Sequence, residues 1–268
     1  MGHRRIEGMS LLEAFGFAPG AMVAAVGGGG KTSLVFRVAA EAVERGIPAL
    51  VTTTVKFTRP AGLAMPRLVM VPAESAVEAA SIALAGEGGV TLASGEGERG
   101  RMLGFPPAVV DGLRKPGRLV LVEADGSAHR PFKAPAEHEP VIPAGATDVV
   151  VCVGLQVLGR PLDGRWVHRA ELAAGLAGAG VGEVVTPAVA ASVVLHRAGG
   201  RKGVPPGARC SALLNRVGGV EAGPLALELA KRLVDGGLDR VVIADASEGT
   251  VLEVMGRALV SAPATDHG

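Results

Sequence analysis

Four consecutive glycines followed by a lysine and a threonine form the segment of this sequence with the clearest chemistry. Glycines let a loop point backbone N–H groups at a phosphate, because they accept dihedral angles and close approaches that other residues do not. A lysine at this spacing contacts β- and γ-phosphates, and a threonine hydroxyl binds Mg²⁺. The predicted nucleotide-binding residues of this segment are Gly27, Gly28, Gly29, Gly30, Lys31, Thr32 and Ser33.

This glycine segment is shorter than the common phosphate loop. The common pattern, G-x-x-x-x-G-K-[ST], requires a first glycine where this chain has Ala25. The shorter pattern, G-x-x-G-K-T, is similar to the loop of Mur-type peptide ligases. An apolar run at 21–26 precedes the glycines, and apolar residues at helical spacing follow them as far as Arg45. Strand, loop and helix in this order favour a phosphate site over a plain glycine turn with an exposed Lys31.

Two carboxylates follow the most apolar strand signal in the middle of the chain, at 118–123. Glu123 and Asp125 are two residues apart, a spacing that directs both toward the same side of a strand end. An acidic residue in this position holds Mg²⁺ in many nucleotide-binding proteins. We therefore predict Lys31, Glu123 and Asp125 as catalytic residues, and Thr32, Glu123 and Asp125 as metal ligands. A turn-capping role for Asp125 is the alternative.

Polar residues at other strand ends are the candidates for contacts with the rest of a nucleotide and with a second substrate. Those after the second strand are Thr53, Thr54 and Lys56, and those in the unpatterned loop 125–147 are Lys133, His138 and Glu139. Asn215 follows a later strand, at a place where P-loop GTPases read guanine, but Gly218 stands where those proteins have an aspartate. The choice between ATP and GTP therefore stays open, and Asn215 as a turn cap is the alternative.

Apolar runs and helical periodicities alternate along the chain. Strands are predicted at 21–26, 47–53, 68–71, 90–93, 118–123, 148–153, 210–214 and 240–244. Helices are predicted at 34–45, 74–85, 106–113, from about 168, at 187–197 and at 221–234. This alternation predicts a three-layer, doubly wound α/β fold with a mainly parallel sheet. We expect one P-loop NTPase-like domain over 1–268, with an N-terminal extension at 1–20 and a functional loop at 125–147.

Charge and hydropathy along the chain argue against binding to nucleic acid, secretion and insertion into a membrane. The 27 basic and 26 acidic residues give a net charge of +1, which argues against a nucleic-acid-binding surface. The polar first ten residues do not resemble a signal peptide, and no apolar run reaches the ~20 residues of a membrane helix. We therefore expect a cytoplasmic protein that binds neither nucleic acid nor membrane. Cys152 and Cys210 are predicted to be structural.

Together these motifs resemble those of the YqeC family. The matching segments are VGGGGKT at 26–32, TTTVK at 52–56, EADGSAHRPFKAPAEHEPVIP at 123–143, GLQVLGRPL at 154–162, His168-Arg169 and Leu214-Asn215. The longest of them, from position 123 to 143, is the most specific. The resemblance spans most of the chain and adds His168 and Arg169 to the candidate substrate-binding residues.

The YqeC family is described as accessory proteins of selenium-dependent molybdenum hydroxylases. The resemblance implies a P-loop NTPase that uses MgATP, with GTP as the alternative, and that meets a molybdopterin- or selenium-linked species or a molybdenum hydroxylase. On this basis we expect NTP hydrolysis or phosphoryl transfer, with Lys56, Lys133 and Arg169 binding an anionic acceptor. A nucleotide-gated cofactor-binding chaperone is one alternative, and a Mur-like ATP-dependent ligase is another.

Overall fold

Strands and helices alternate in the computed structural model, which describes residues 6–58, 66–215 and 223–256. The helices are α1 (Leu11–Phe15), α2 (Lys31–Glu44), α3 (Ala76–Glu87), α4 (Pro107–Gly112), α5 (Ala170–Ala177), α6 (Pro187–Leu195) and α7 (Pro224–Asp235). The first seven strands are β1 (Met22–Gly27), β2 (Ala49–Thr53), β3 (Phe57–Thr58), β4 (Arg67–Met70), β5 (Gly89–Ala93), β6 (Gly95–Glu96) and β7 (Arg101–Leu103). The others are β8 (Leu119–Glu123), β9 (Phe132–Lys133), β10 (Asp148–Gly154), β11 (Val167–His168), β12 (Arg209–Asn215), β13 (Arg240–Asp245) and β14 (Thr250–Gly256).

The central sheet has nine strands in the order β14-β13-β12-β10-β1-β8-β2-β5-β4. All neighbouring pairs are parallel except β13 and β14, which confirms the predicted mainly parallel sheet. The carboxyl ends of parallel strands meet at one edge of a sheet, where ligands of such folds bind. The ends of β1, β8, β2, β10 and β12 are therefore brought together by the topology itself.

The two faces of β1 contribute to two separate hydrophobic clusters, because successive side chains of a strand point to opposite faces. Met22, Ala24 and Val26 pack with the α3, α6 and α7 side of the sheet. Val23 and Ala25 pack with α1 and α2 on the other side. Helices on both faces make three layers, as the alternating sequence pattern predicts.

The N-terminal stretch contributes a helix to the core. Ser10 caps α1 by accepting a hydrogen bond from the backbone N–H of Glu13, while the Glu13 carboxylate accepts one from the Ser10 backbone N–H. Leu11 and Phe15 are buried against the α2 side of the sheet. Part of the stretch predicted as an extension is therefore packed into the main core.

Three further features differ from the sequence-based expectation. The strand predicted at 240–244 is not the last, because β14 follows it and pairs in the antiparallel direction. The turn-rich segment after β5 forms a small antiparallel sheet of β3, β7 and β6, and the long loop contains β9, which pairs with β11.

None of the helices that the structure describes is long and hydrophobic enough to serve as a membrane span.

Candidate functional site

The glycine segment 27–30, here called the glycine loop, leaves β1 at the carboxyl edge of the sheet and leads into α2. Gly27, Gly29 and Gly30 have φ angles of 87°, 76° and 121°, a region that side-chain-bearing residues rarely adopt. The neighbouring atoms also leave no room for a Cβ atom at these positions. A Cβ atom on Gly27 would lie 2.5 Å from the Cys152 carbonyl oxygen, and one on Gly28 would lie 2.8 Å from that of Arg130. Larger residues cannot replace these glycines without moving the backbone around them.

Lys31 and Thr32, the first residues of α2, face the loop and the neighbouring strand. The Lys31 Nζ donates hydrogen bonds to the Gly27 carbonyl at 2.7 Å and to the Ser127 hydroxyl at 3.3 Å. The Thr32 hydroxyl donates to the Glu123 carboxylate at 2.7 Å. This contact exists because β8 runs beside β1 with Glu123 opposite Ala25, so that the end of β8 reaches the start of α2.

Glu123 and Asp125, predicted to act together, occupy different places. Glu123 faces Thr32, whereas Asp125 lies behind the glycine loop and accepts the Gly27 backbone N–H at 3.0 Å. Burial raises the pKa of Glu123, and the charge of Lys31 together with the Thr32 hydrogen bond opposes this rise. Burial also raises the pKa of Asp125, against the attraction of Lys133. The geometry thus gives Glu123 the position next to the hydroxyl and gives Asp125 the role of a loop anchor.

Lys133 is at the centre of a buried ionic network. Its Nζ contacts Asp125 Oδ1 and Glu139 Oε2, each at 2.5 Å, and the Gly126 carbonyl at 2.6 Å. The side chain of Lys133 is 1% exposed and that of Asp125 is 2% exposed. Two carboxylates therefore pair with the ammonium group for which an anionic acceptor was predicted.

Arg169 closes the same network from the opposite side. The pairing of β11 with β9 sets His168 opposite Lys133 and brings the next residue beside Glu139. Arg169 binds Glu139 through two hydrogen bonds of 2.7 and 3.1 Å. Burial opposes ionisation of Glu139, but the bonds from Arg169 and Lys133 outweigh it and lower its pKa to about 2. Arg169 is thus paired internally as well.

The two candidate histidines lie outside the glycine loop. The His138 side chain is 79% exposed, and its Nε2 is 4.0 Å from Glu139. His168 is half-buried, and burial together with the nearby Arg169 charge lowers its pKa. Both imidazoles lie beside residues of the ionic network, so the structure groups them with that network rather than with Lys31 and Thr32.

At the end of β2, two threonine hydroxyls form hydrogen bonds to backbone carbonyls, and a lysine that follows them is exposed. Thr53 donates its hydroxyl to the Glu123 backbone carbonyl at 2.8 Å, and Thr54 donates to the Val141 carbonyl at 2.6 Å. These bonds tie the end of β2 to β8 and to the long loop. Lys56 is exposed and lines the space in front of the glycine loop.

Asn215 supports the glycine loop from behind. Its Oδ1 accepts the Ala246 backbone N–H at 3.0 Å, and a Cβ on Gly30 would lie 2.6 Å from its Nδ2. The side chain therefore joins the end of β12 to the loop and to the end of β13. Position 218, where the sequence lacks the guanine-reading aspartate, lies outside the described residues.

In front of the glycine loop is an open cleft of about 670 Å³. Arg130, a basic residue that the long loop was expected to supply, lines it too, as do residues that sequence reasoning did not select: Arg101, Ser127, His129, Gln156, Ser247 and Glu248. Arg101 comes from the small β3-β7-β6 sheet, whose two- and three-residue strands show no periodicity in the sequence. No signal in the sequence identifies Arg101 as a residue of this cleft.

Ala128 and His129 both have positive φ, 47° and 59°, which marks the turn after β8 as strained.

Both cysteines are buried, and burial raises the pKa of Cys152 to about 12 and that of Cys210 to about 11, so neither thiol is readily ionised. In the part of the chain that the structure describes, no group of three or more His, Cys, Asp or Glu side chains is arranged to hold a metal ion. A resident metal cage built from such side chains is therefore not a feature of the described cleft.

Sequence comparisons place these features in a family. The family model described as YqeC protein matches residues 23–171, which include the glycine loop, Glu123 and the ionic network. The chain belongs to the YqeC family. A relative from Escherichia coli (strain K12), the uncharacterized protein YqeC, is 31% identical over 190 residues, covering 69% of this chain and 71% of its own. No solved structure gives a significant match.

The match to the YqeC family covers the glycine loop and most of the cleft, but not Ser247 and Glu248 after β13. It begins within β1 and ends at the start of α5, just after Arg169. Every candidate residue except Asn215 therefore lies inside the matched region of this YqeC-family chain.

Proposed function

We propose that this YqeC-family protein binds a nucleoside triphosphate with Mg²⁺ in the cleft and either hydrolyses it or transfers its γ-phosphoryl group. The observation that carries the proposal is the 2.7 Å hydrogen bond between Thr32 and Glu123. It joins the residue after the loop lysine to the carboxylate at the end of the adjacent strand. P-loop proteins use this pair of positions for Mg²⁺.

The residues of the cleft fit Mg²⁺ better than an ion that needs a complete protein cage. Thr32 and Glu123 offer oxygen ligands, and Mg²⁺ typically takes one or two from the protein while keeping water and phosphate oxygens. Thr32 and Glu123 would hold the ion, which supplies neutralisation of phosphate charge when bound. Asp125, already bonded to Gly27 and Lys133, would keep the glycine loop in place.

Lys31 and the N-terminus of α2 support the proposed binding of phosphate. Lys31 lies across the loop, and exchanging its bond to the Gly27 carbonyl for a phosphate oxygen would keep its charge satisfied. The α2 N-terminus adds its dipole to the same site. In the reaction, the bond from the γ-phosphorus to its bridging oxygen breaks, and one to an oxygen of water or of an acceptor forms. The proton of that oxygen is released to solvent.

The biological role rests on family membership. We propose a cytoplasmic accessory role in the maturation of selenium-containing molybdenum hydroxylases, with ATP as the nucleotide and GTP as the alternative. Asn215 gives no support for guanine, since its Oδ1 is engaged by a backbone N–H within the fold. The acceptor would be a molybdopterin- or selenium-linked species.

Calorimetric titration with MgATP and MgGTP tests the proposal. We expect wild type to bind one of them and Lys31→Ala to lose at least about 100-fold in affinity, because it lacks the charge on the β- and γ-phosphates. Lys115→Ala removes an exposed lysine at the other end of the sheet and serves as the control. A cooperative thermal unfolding transition of Lys31→Ala would establish that the variant is folded. Absence of binding by folded wild type would refute the proposal.

A nucleotide-gated chaperone is the second candidate, favoured by one specific feature. The Gly27 N–H is bonded to Asp125, Asp125 to Lys133, and Lys133 to Glu139, so the glycine loop and the long loop 125–147 are connected through side chains. A change at the glycine loop can therefore reach the long loop, which would contact the partner of such a chaperone. Turnover distinguishes the candidates, since a small acceptor accelerates an enzyme whereas only the client hydroxylase accelerates a chaperone.

A further inference from the structure

Two cations beside the glycine loop have no role in the phosphate site proposed above. Lys56 follows β2, and Arg101 begins β7 in the small sheet, where it pairs with Thr58 of β3. The Arg101 guanidinium donates a 3.0 Å hydrogen bond to the Lys56 backbone carbonyl, which holds the two residues together. Both side chains are exposed, and both line the cleft that contains Lys31, Thr32 and Glu123.

Neither of these two cations is neutralised by a carboxylate in direct contact, although Arg101 interacts at longer range with Glu123. Among residues 6–58, 66–215 and 223–256, neither Lys56 nor Arg101 forms an ion pair. Lys133 and Arg169, by contrast, are neutralised by Asp125 and Glu139. An anion that enters the cleft therefore meets cations without a direct carboxylate partner at Lys56 and Arg101, and a third at Arg130, whose guanidinium donates to the Gly164 carbonyl.

Strand order places this pair on the metal side of the phosphate site. β8 and β2 lie on one side of β1 and carry Glu123 and Lys56 at their ends. β10, β12 and β13 lie on the other side, where Gln156, Ser247 and Glu248 line the cleft. A nucleotide whose γ-phosphate lies near Thr32 and Glu123 would extend its sugar and base toward the second group. Lys56 and Arg101 then face the position from which an acceptor approaches.

We propose that Arg101 and Lys56 form an anion-binding subsite for the second substrate, and that this substrate carries a phosphate group. The proposal rests on the proposed function, because it names the substrate class of the same cleft. An arginine fork matches two oxygens of a phosphate, and a lysine adds a point charge. The pair replaces Lys133 and Arg169, which the sequence indicated as acceptor-binding residues together with Lys56.

The test uses inorganic phosphate as the probe and the full-length protein saturated with Mg²⁺ and a β,γ-imido ATP analogue. The analogue fills the γ-phosphate position, so that phosphate binding reports on a second site. We expect phosphate to bind wild type, and Arg101→Gln and Lys56→Gln each to weaken it about tenfold or more. Affinity for the analogue should change less than about twofold.

Arg114→Gln and Lys115→Gln are the matched controls. Arg114, like Arg101, is exposed and donates a single 3.0 Å hydrogen bond to a backbone carbonyl, that of Gly20, but it lies at the opposite end of the sheet. Lys115 is an exposed lysine beside it. Phosphate affinity equal to that of wild type in both controls supports the subsite. An equal loss in the controls would attribute the effect to net charge and overturn the assignment.

Other outcomes separate this proposal from the proposed function. If phosphate does not bind the loaded wild type, or if Arg101→Gln binds it unchanged, the subsite is wrong while nucleotide binding stands. If both variants lose the analogue instead of phosphate, these cations belong to the nucleotide site and the subsite is again wrong. If wild type binds no analogue, the proposed function fails. Phosphate titration of nucleotide-free Lys31→Ala, with and without Arg101→Gln, then decides the subsite alone.

Discussion

At the scale of single residues, the site depends on a carboxylic acid held in an unfavourable environment. Glu123 is 8% exposed at the end of a buried strand, and burial raises its pKa. Burial therefore disfavours the charged form of this carboxyl group, whereas the proposed binding of Mg²⁺ needs that form. Such a conflict between stability and chemistry is common at functional sites.

Glu123→Gln should separate stability from metal binding. The amide keeps an oxygen that accepts the Thr32 hydroxyl but carries no charge, so we expect the nucleotide-free variant to be more stable than wild type by about 1 kcal/mol at pH 7. A raised pKa contributes stability below the unfolded value of 4.5, and that contribution is lost as the pH rises. The gain should therefore shrink toward pH 4. Urea unfolding from pH 4 to 8 measures it.

Calorimetry on Glu123→Gln gives the second half of the test. Affinity for ATP should no longer depend on Mg²⁺, because a neutral amide is a poor ligand for this ion. Glu44→Gln, which changes an exposed carboxylate on α2, should resemble wild type in both measurements. A variant that is less stable than wild type and retains full Mg²⁺ dependence would contradict the assignment of Glu123 as a ligand.

At the scale of elements, the long loop after β8 is held by charge rather than by secondary structure. Between Asp125 and Thr147 the structure contains a single two-residue strand, β9. Glu139 receives hydrogen bonds from Lys133 and from Arg169, and through Lys133 it is connected to Asp125 and the glycine loop. The conformation of this loop should therefore depend on the ionisation of Glu139.

Glu139→Gln should alter stability in acid. A pKa lowered from 4.5 to about 2 contributes stability above pH 4.5, and that contribution is lost as the pH falls toward 2. For wild type we expect a loss on the order of 2 kcal/mol over this range from Glu139, and for the variant no such component. Unfolding in urea between pH 2.5 and 6 measures the slopes, with Glu137→Gln, an exposed neighbour, as the control. Parallel slopes for wild type and Glu139→Gln would show that this carboxylate does not support the loop.

The comparison of sequence and structure shows which features are local. The α/β class and the mainly parallel sheet follow from strand and helix periodicities, each of which is contained within one segment. The neighbourhood of Glu123 and Thr32 also follows, because parallel strands align their carboxyl ends. The pairing of Lys133 was not predictable, since it depends on Glu139 folding back over six residues and on Arg169 arriving through β11.

Short elements account for the other omissions. Helix α1 has five residues, too few to show a helical period, and β6 and β7 have two and three. The sequence around Arg101 therefore predicts only a turn, although in the folded protein Arg101 lies next to Lys56. Strand β14 pairs in the antiparallel direction with β13, which an alternating pattern of strand and helix does not anticipate.

At the scale of the whole molecule, the cleft exists only when the sheet is assembled. The glycine loop follows β1, Glu123 ends β8, Lys56 follows β2, and Ser247 and Glu248 follow β13. These segments are far apart along the sequence, so an unfolded chain presents no equivalent site. A nucleotide that binds the cleft therefore stabilises the entire fold by mass action.

MgATP at about 100 times its Kd should raise the free energy of unfolding by about 2.7 kcal/mol, which for a chain of this size corresponds to a Tm increase of roughly 5 °C. Thr32→Val removes the hydroxyl and keeps the side-chain shape, so the Mg²⁺-dependent part of the increase should vanish while ATP alone acts as on wild type.

Thr91→Val, which removes a buried hydroxyl bonded to the Pro66 carbonyl at 3.2 Å, controls for the general cost of a lost hydrogen bond. Its own Tm should fall, yet its increase with MgATP should equal that of wild type, because Thr91 lies away from the cleft. If Thr32→Val kept the full Mg²⁺-dependent increase, the metal would be held elsewhere, and the 2.7 Å contact with Glu123 would be a structural hydrogen bond only.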